Sequence, residues 1–94
     1  MERKISISKP SVGEEEVKAV SEVIRSGIIA QGPQVSKLEE EFSKLCNSEY
    51  SIAVNSGTAA LHTSLNVAGI NGGDEVITTP FTFIATANTI MMQN

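Results

Sequence analysis

The sequence predicts an α/β fold, and three of its features carry the prediction. From residue 50 onward, short apolar runs alternate with helical patterns in the order strand, helix, strand, helix, joined by short connections. That order belongs to parallel sheets flanked by helices. The two predicted strands, Tyr50–Val54 and Glu75–Thr79, run into the turns Asn55–Thr58 and Thr79–Phe83, and ligands of parallel sheets collect at the carboxyl ends of the strands. Ahead of them lie two amphipathic helical patterns. Two strands make a poor parallel sheet, since such sheets are normally covered by helices on both faces. The expected fold is therefore α/β but incomplete. Residues 1–12 read as an extended N-terminal arm and 13–94 as a partial domain.

The 94 residues allow at most one small domain. An apolar fraction of 40% argues against disorder. No apolar run approaches the ~18–20 residues of a membrane span, and Met1–Lys4 lacks the apolar core of a signal peptide. The expected location is the cytoplasm. A net charge of −4 argues against a nucleic-acid partner. All seven Lys and Arg residues lie between Arg3 and Lys44. An anion bound in the second half must therefore rely locally on backbone N–H groups and hydroxyls. One cysteine, Cys46, excludes an internal disulfide and a multi-cysteine metal site, and the single histidine cannot build a zinc site alone. Beside apolar Leu45, Cys46 reads as a packed thiol.

Each element has a local reason. Ser11-Val12-Gly13-Glu14 fits a capping box, with Glu15 and Glu16 favouring the positive end of the helix dipole. Val17, Val20 and Ile24 give the apolar stripe of a first helix over about Gly13–Ser26, with Gly27 as its stop. Gly27-Ile28-Ile29-Ala30-Gln31-Gly32-Pro33 is a loop, read either as a plug for a core edge or as a surface packed on a partner or ligand. Gln34–Cys46 is a second helix with Val35, Leu38, Phe42 and Leu45 on one face, ended by Asn47-Ser48. The run Glu39–Glu41 reads as a solvated face, and Glu40 and Lys44 stand at i,i+4.

The strand Tyr50–Val54 then opens through Asn55-Ser56-Gly57-Thr58 into a third helix of about Gly57–Ala68. Ser56 can cap it, Gly57 lets a ligand approach the backbone, and Thr58 adds a hydroxyl. The first N–H groups of a helix lack partners inside it and carry partial positive charge, so this turn is a candidate phosphate site. A turn at 69–74 leads to the second strand, which Pro80 closes. Thr82 can cap a last helix, Phe83 to about Gln93, with Ile84, Ala87, Ile90 and Met91 on one side.

Four blocks, in order and spacing, resemble the N-terminal part of the DegT–DnrJ–StrS family of fold-type-I, pyridoxal-phosphate-dependent aminotransferases of nucleotide sugars. They are Lys9–Glu16, Ser26–Pro33, Ala53–Leu61 and Gly73–Asn88, and together they cover almost the whole chain. The third alone is a weak signal; all four together are a strong one. The resemblance implies the large domain of that fold, a mostly parallel sheet flanked by helices, present here only in part. It implies that Ser56, Gly57 and Thr58 cradle the cofactor phosphate and that Phe83 stacks on the pyridine ring. On its residues alone, Phe83 reads as core packing at a helix start. The loop holding Ile28, Ala30 and Gln31 is similar to the family's segment beside the sugar substrate at a homodimer interface. The family often has an aromatic near Ile28 and hydroxyl residues near Ala30 and Gln31, and this chain departs there.

By the same resemblance, a lysine holds the cofactor covalently and an aspartate pairs with the pyridinium nitrogen. Both belong to motifs this sequence does not contain: Lys4, Lys9, Lys18, Lys37, Lys44 and Asp74 stand in other contexts. No catalytic residue is therefore assigned. The implied reaction moves an amino group from an amino-acid donor, usually glutamate, to a keto-sugar nucleotide, and the 94-residue chain is expected to be inactive by itself. Two readings from other classes stand beside it, a small phosphate-binding or interaction module and a truncated product without function. Within the family, a dehydratase branch replaces the lysine by histidine.

Overall fold

In the computed structural model, which describes residues 5–93, an acidic start and a glycine stop delimit the first helix. Helix α1 spans Glu14–Ser26, with Gly13 at its N-cap donating its N–H to Glu16 Oε2 at 2.7 Å. The expected partners were Ser11 and Glu14. The cap instead forms two residues later, because Glu14 is already helical and Glu16 holds the third helical position, from which a carboxylate reaches back. Gly27 ends α1 in the left-handed region, φ 73°, and donates to Ile24 O at 3.2 Å. That conformation favours a residue without Cβ.

Helix α2 spans Pro33–Cys46, with Gly32 at its N-cap and Pro33 in its first turn, where a missing N–H costs nothing. A Cβ on Gly32 would lie 2.6 Å from Ile28 Cγ2, so the close approach of that isoleucine requires glycine. Asn47, φ 52°, closes the helix. Lys44 Nζ donates to Glu40 Oε1 at 2.6 Å, as the i,i+4 spacing suggests.

The chain divides into two compact units, Met1–Glu49 and Tyr50–Asn94. In the first, α1 and α2 do not pack along one another, and neither holds a buried residue. The apolar stripes are present in register, yet Val17, Val20, Ile24, Leu38, Phe42 and Leu45 all remain more than half exposed. Two expectations are corrected as a result. Cys46 is exposed rather than packed, and the loop plugs no core edge, since Ile28 and Ile29 are exposed as well. Both needed a covered apolar face to lie in, and α1 and α2 do not pack together to make one. The expected arm, residues 1–12, falls partly outside the described residues; 5–12 hold neither helix nor strand.

In the second unit helix α3 spans Gly57–Val67, close to its expected limits. The two predicted strands do not form. Tyr50–Val54 and Glu75–Thr79 run as irregular chain, and every regular element among the described residues is a helix. The α/β expectation is corrected to this extent. A strand exists only through a neighbouring ladder, and these segments do not pair with each other. Ile52 and Ile77, built to be covered, stand 82% and 100% exposed.

Helix α4 spans Ala85–Met91, shorter than predicted, with Ile84 rather than Thr82 at its N-cap. Its buried face is centred on small and polar residues. Ala85 and Thr89 are buried and Thr86, Ile90 and Gln93 half-buried, while Ile84 and Met91 are exposed. Small residues let α4 approach α3, on which it packs; the large ones point where this chain supplies no cover. Thr89 Oγ1 donates to Ala85 O at 2.9 Å and lies 3.2 Å from Thr86 O, so its burial strands no hydroxyl. Between the helices, Asn71 and Asp74 close the turn, with the Asn71 N–H donating to Asp74 Oδ2 at 2.8 Å.

Candidate functional site

The start of α3 is built as its sequence suggests. Ser56 is the N-cap, in extended backbone, and its Oγ accepts the Ala59 N–H at 3.1 Å. Its carbonyl accepts the Ala60 N–H at 3.0 Å, and its own O–H points to Asn55 Oδ1 at 3.4 Å. The third and fourth helical N–H groups are thus satisfied within the turn. Those of Gly57 and Thr58, the first and second, have no acceptor that helix geometry can supply. They stand at the positive end of an 11-residue helix.

Three features fit this turn to a phosphate. The Gly57 and Thr58 N–H groups lie outside the intrahelical ladder. A Cβ on Gly57 would meet no protein atom within 4 Å, so the approach to that backbone is open. The Ser56 hydroxyl can keep accepting from Ala59 while turning its hydrogen from the long Asn55 contact to an anion, since it has one donor and two lone pairs. No cation stands in the same unit, because Lys and Arg are absent from Cys46 to Asn94.

Phe83 belongs to the same unit. Its carbonyl accepts the Thr86 N–H at 3.1 Å, which joins it to the first turn of α4. Phe83 is 76% exposed and is not part of a core. The remaining candidates lie in the other unit. Ile28 and Ala30 line an open cleft of about 310 Å³ with Glu22, Val23, Ser26 and Gln34, and Gln31 is exposed beside it. No described group of three or more His, Cys, Asp or Glu side chains could hold a metal ion. No helix among the described residues is long and apolar enough to cross a membrane.

Sequence reasoning missed the polar tie between α3 and α4. Gln93 Nε2 donates to His62 O at 3.0 Å, one turn beyond buried Thr89. The available signal was the spacing Ala85, Thr89, Gln93, a small and polar line at i, i+4, i+8. The eye is drawn instead to the isoleucines and methionines beside it.

The chain is similar to the spore coat polysaccharide biosynthesis protein SpsC of Bacillus subtilis (strain 168), with 48% identity over 84 residues. The match takes in 89% of this chain and 22% of that relative, so the chain spans under a quarter of the relative's length. The model of the DegT/DnrJ/EryC1/StrS aminotransferase family matches residues 10–94, which include both α3 and α4 and every candidate residue named above. On that match, the chain belongs to the DegT/DnrJ/EryC1/StrS aminotransferase family.

Proposed function

We propose that this chain is the cofactor-phosphate-anchoring segment of a pyridoxal-phosphate-dependent aminotransferase. The complete enzyme would move an amino group from glutamate to a keto-sugar nucleotide in the cytoplasm, working as a homodimer and feeding an amino sugar into polysaccharide synthesis. The pair of outward N–H groups at Gly57 and Thr58, beside an open backbone approach, supports the reading most directly. Family membership and the polysaccharide role named for SpsC supply the direction of the chemistry.

In this reading Gly57 and Thr58 donate their N–H groups to the phosphate, with the Ser56 and Thr58 hydroxyls beside them. Phe83 offers its exposed ring as a stacking surface. Ile28, Ala30 and Gln31 form part of the sugar side, and residues 1–12 form an arm ahead of the partial domain 13–94. Pyridoxal phosphate, when bound, supplies the electron sink for amino-group transfer. None of Lys4, Lys9, Lys18, Lys37 or Lys44 matches the family's cofactor-binding lysine, so the segment holds the anchor without the base.

Two measurements test this. Inorganic phosphate titrated into the isotope-labelled chain is expected to give saturable shifts at the Gly57 and Thr58 amides and none at Gln34, near the start of α2. Equal or absent responses would overturn the phosphate site. The purified 94-residue chain, given cofactor, glutamate and a keto-sugar nucleotide, is expected to form no amino sugar. Turnover by the chain alone would sink the assignment of an anchor without a base.

A further inference from the structure

The turn between α3 and the segment 75–79 holds a reactive pair that the phosphate site does not use. Asn71 is followed by Gly72, and both are exposed. The Asn71 N–H donates to Asp74 Oδ2 at 2.8 Å, its carbonyl accepts the Asp74 N–H at 3.1 Å, and its Nδ2 donates to Gly69 O at 2.6 Å. These bonds all lie within residues 69–74, so the turn forms without a core beneath it. The Gly72 N–H donates to no acceptor among the described residues. A backbone nitrogen that follows an asparagine can close a five-membered ring on the side-chain carbonyl carbon, and this is one reason asparagine is thermolabile. The nitrogen must be free of a helical ladder, and no Cβ beside it may crowd the attack. Gly72 meets both conditions. The other described asparagines do not. Val67 after Asn66 and Thr89 after Asn88 lie in the ladders of α3 and α4. The Ser48 N–H after Asn47 donates to Ser43 O at 3.0 Å. Asn55 is followed by Ser56, which carries a Cβ and is fixed as the cap of α3.

We propose that Asn71 is a site of spontaneous covalent modification, its amide exchanged for a carboxylate with water as the co-reactant. The Gly72 nitrogen gives its proton to solvent base and forms a bond to Asn71 Cγ. The Cγ–Nδ2 bond breaks, and Nδ2 leaves as ammonia. Water then opens the cyclic imide. Attack at Cγ leaves aspartate; attack at the main-chain carbonyl leaves isoaspartate, whose backbone runs through the side chain and is one methylene longer. No electrons are gained or lost. Either product removes the donor that Gly69 O accepts and adds a negative charge to the turn that Asp74 closes. In isoaspartate the carbonyl that accepts the Asp74 N–H also becomes a free carboxylate off the chain, so the link from α3 into 75–79 is rebuilt.

The test follows each asparagine of the 94-residue chain by peptide mapping and mass spectrometry during incubation at mildly alkaline pH, with chromatography separating aspartate from isoaspartate. It is run in buffer and in urea, so that no folded state is assumed. In buffer, Asn71 is expected to convert first, with isoaspartate among its products. Asn47 and Asn55 are both followed by serine, so a difference between them reads the α2 ladder alone. Asn47 should lag behind Asn55 in buffer and lose that lag in urea, which opens the helix, while Asn71 keeps its lead. Gly72 stands outside the left-handed region, a backbone that alanine tolerates. Gly72→Ala, which places a Cβ beside the reacting nitrogen, should abolish the lead of Asn71 over Asn55. Conversion at Asn71 no faster than at Asn55 in buffer overturns the proposal, as does an undiminished lead in Gly72→Ala. Asn47 converting as fast as Asn55 in buffer shows that the helical ladder does not select the site, and overturns it too.

Discussion

Ser56 shows how much one side chain settles at the start of α3. Its Oγ takes the Ala59 N–H, its carbonyl takes that of Ala60, and Gly57 and Thr58 are left facing outward. Removing the hydroxyl orphans the Ala59 donor. Ser56→Ala is therefore expected to destabilise α3 by about 1 kcal/mol, seen as faster amide exchange through Ala59–Thr63. Phosphate binding at Gly57 and Thr58 should weaken in the same variant. Unchanged exchange would show that the cap contributes nothing. The Ser56 cap was legible in the sequence, because a cap is a local device, read from a short window. The Gln93 bond was not, since its partner lies 31 residues away and no pattern within a helix announces a carbonyl on another.

At the level of elements, α1 carries a pH dependence of definite sign. The Gly13 N–H bonded to its carboxylate holds Glu16 below the ordinary glutamate range. A group depressed in the folded state stabilises above its unfolded value and ceases to do so as pH falls through its folded value. The first turn of α1 is thus expected to fray on acidification through and below the usual carboxylate range. Glu16→Gln should remove this component of the titration; an identical acid profile in that variant would refute it. In α2, the hydrogen bond between Glu40 and Lys44 lowers the carboxyl and raises the ammonium, and the pair therefore acts across the neutral range. Helix positions were legible because caps, stops and periodicity are local. The burial of α4 was not, since the same seven residues offer an apolar line and a small one, and only the neighbouring helix selects between them.

For the whole chain the decisive quantity is surface. Ala85 and Thr89 are the buried residues among those described. So little burial leaves the helices held by their own caps and hydrogen bonds rather than by a common core. The isolated chain is expected to melt over a broad range without a cooperative transition, followed by circular dichroism. A sharp, two-state melt would overturn this.

By itself the sequence determined the four helices, the Ser56 cap with its two outward N–H groups, and the family, because capping chemistry, periodicity and motif spacing are written in consecutive residues. Tertiary structure decided which faces are covered. It left Tyr50–Val54 and Glu75–Thr79 without a ladder, turned α4 onto its small face, and joined Gln93 to His62. The reason is physical: a helix closes its hydrogen bonds within its own segment, whereas a strand or a buried face exists only when another part of the molecule meets it.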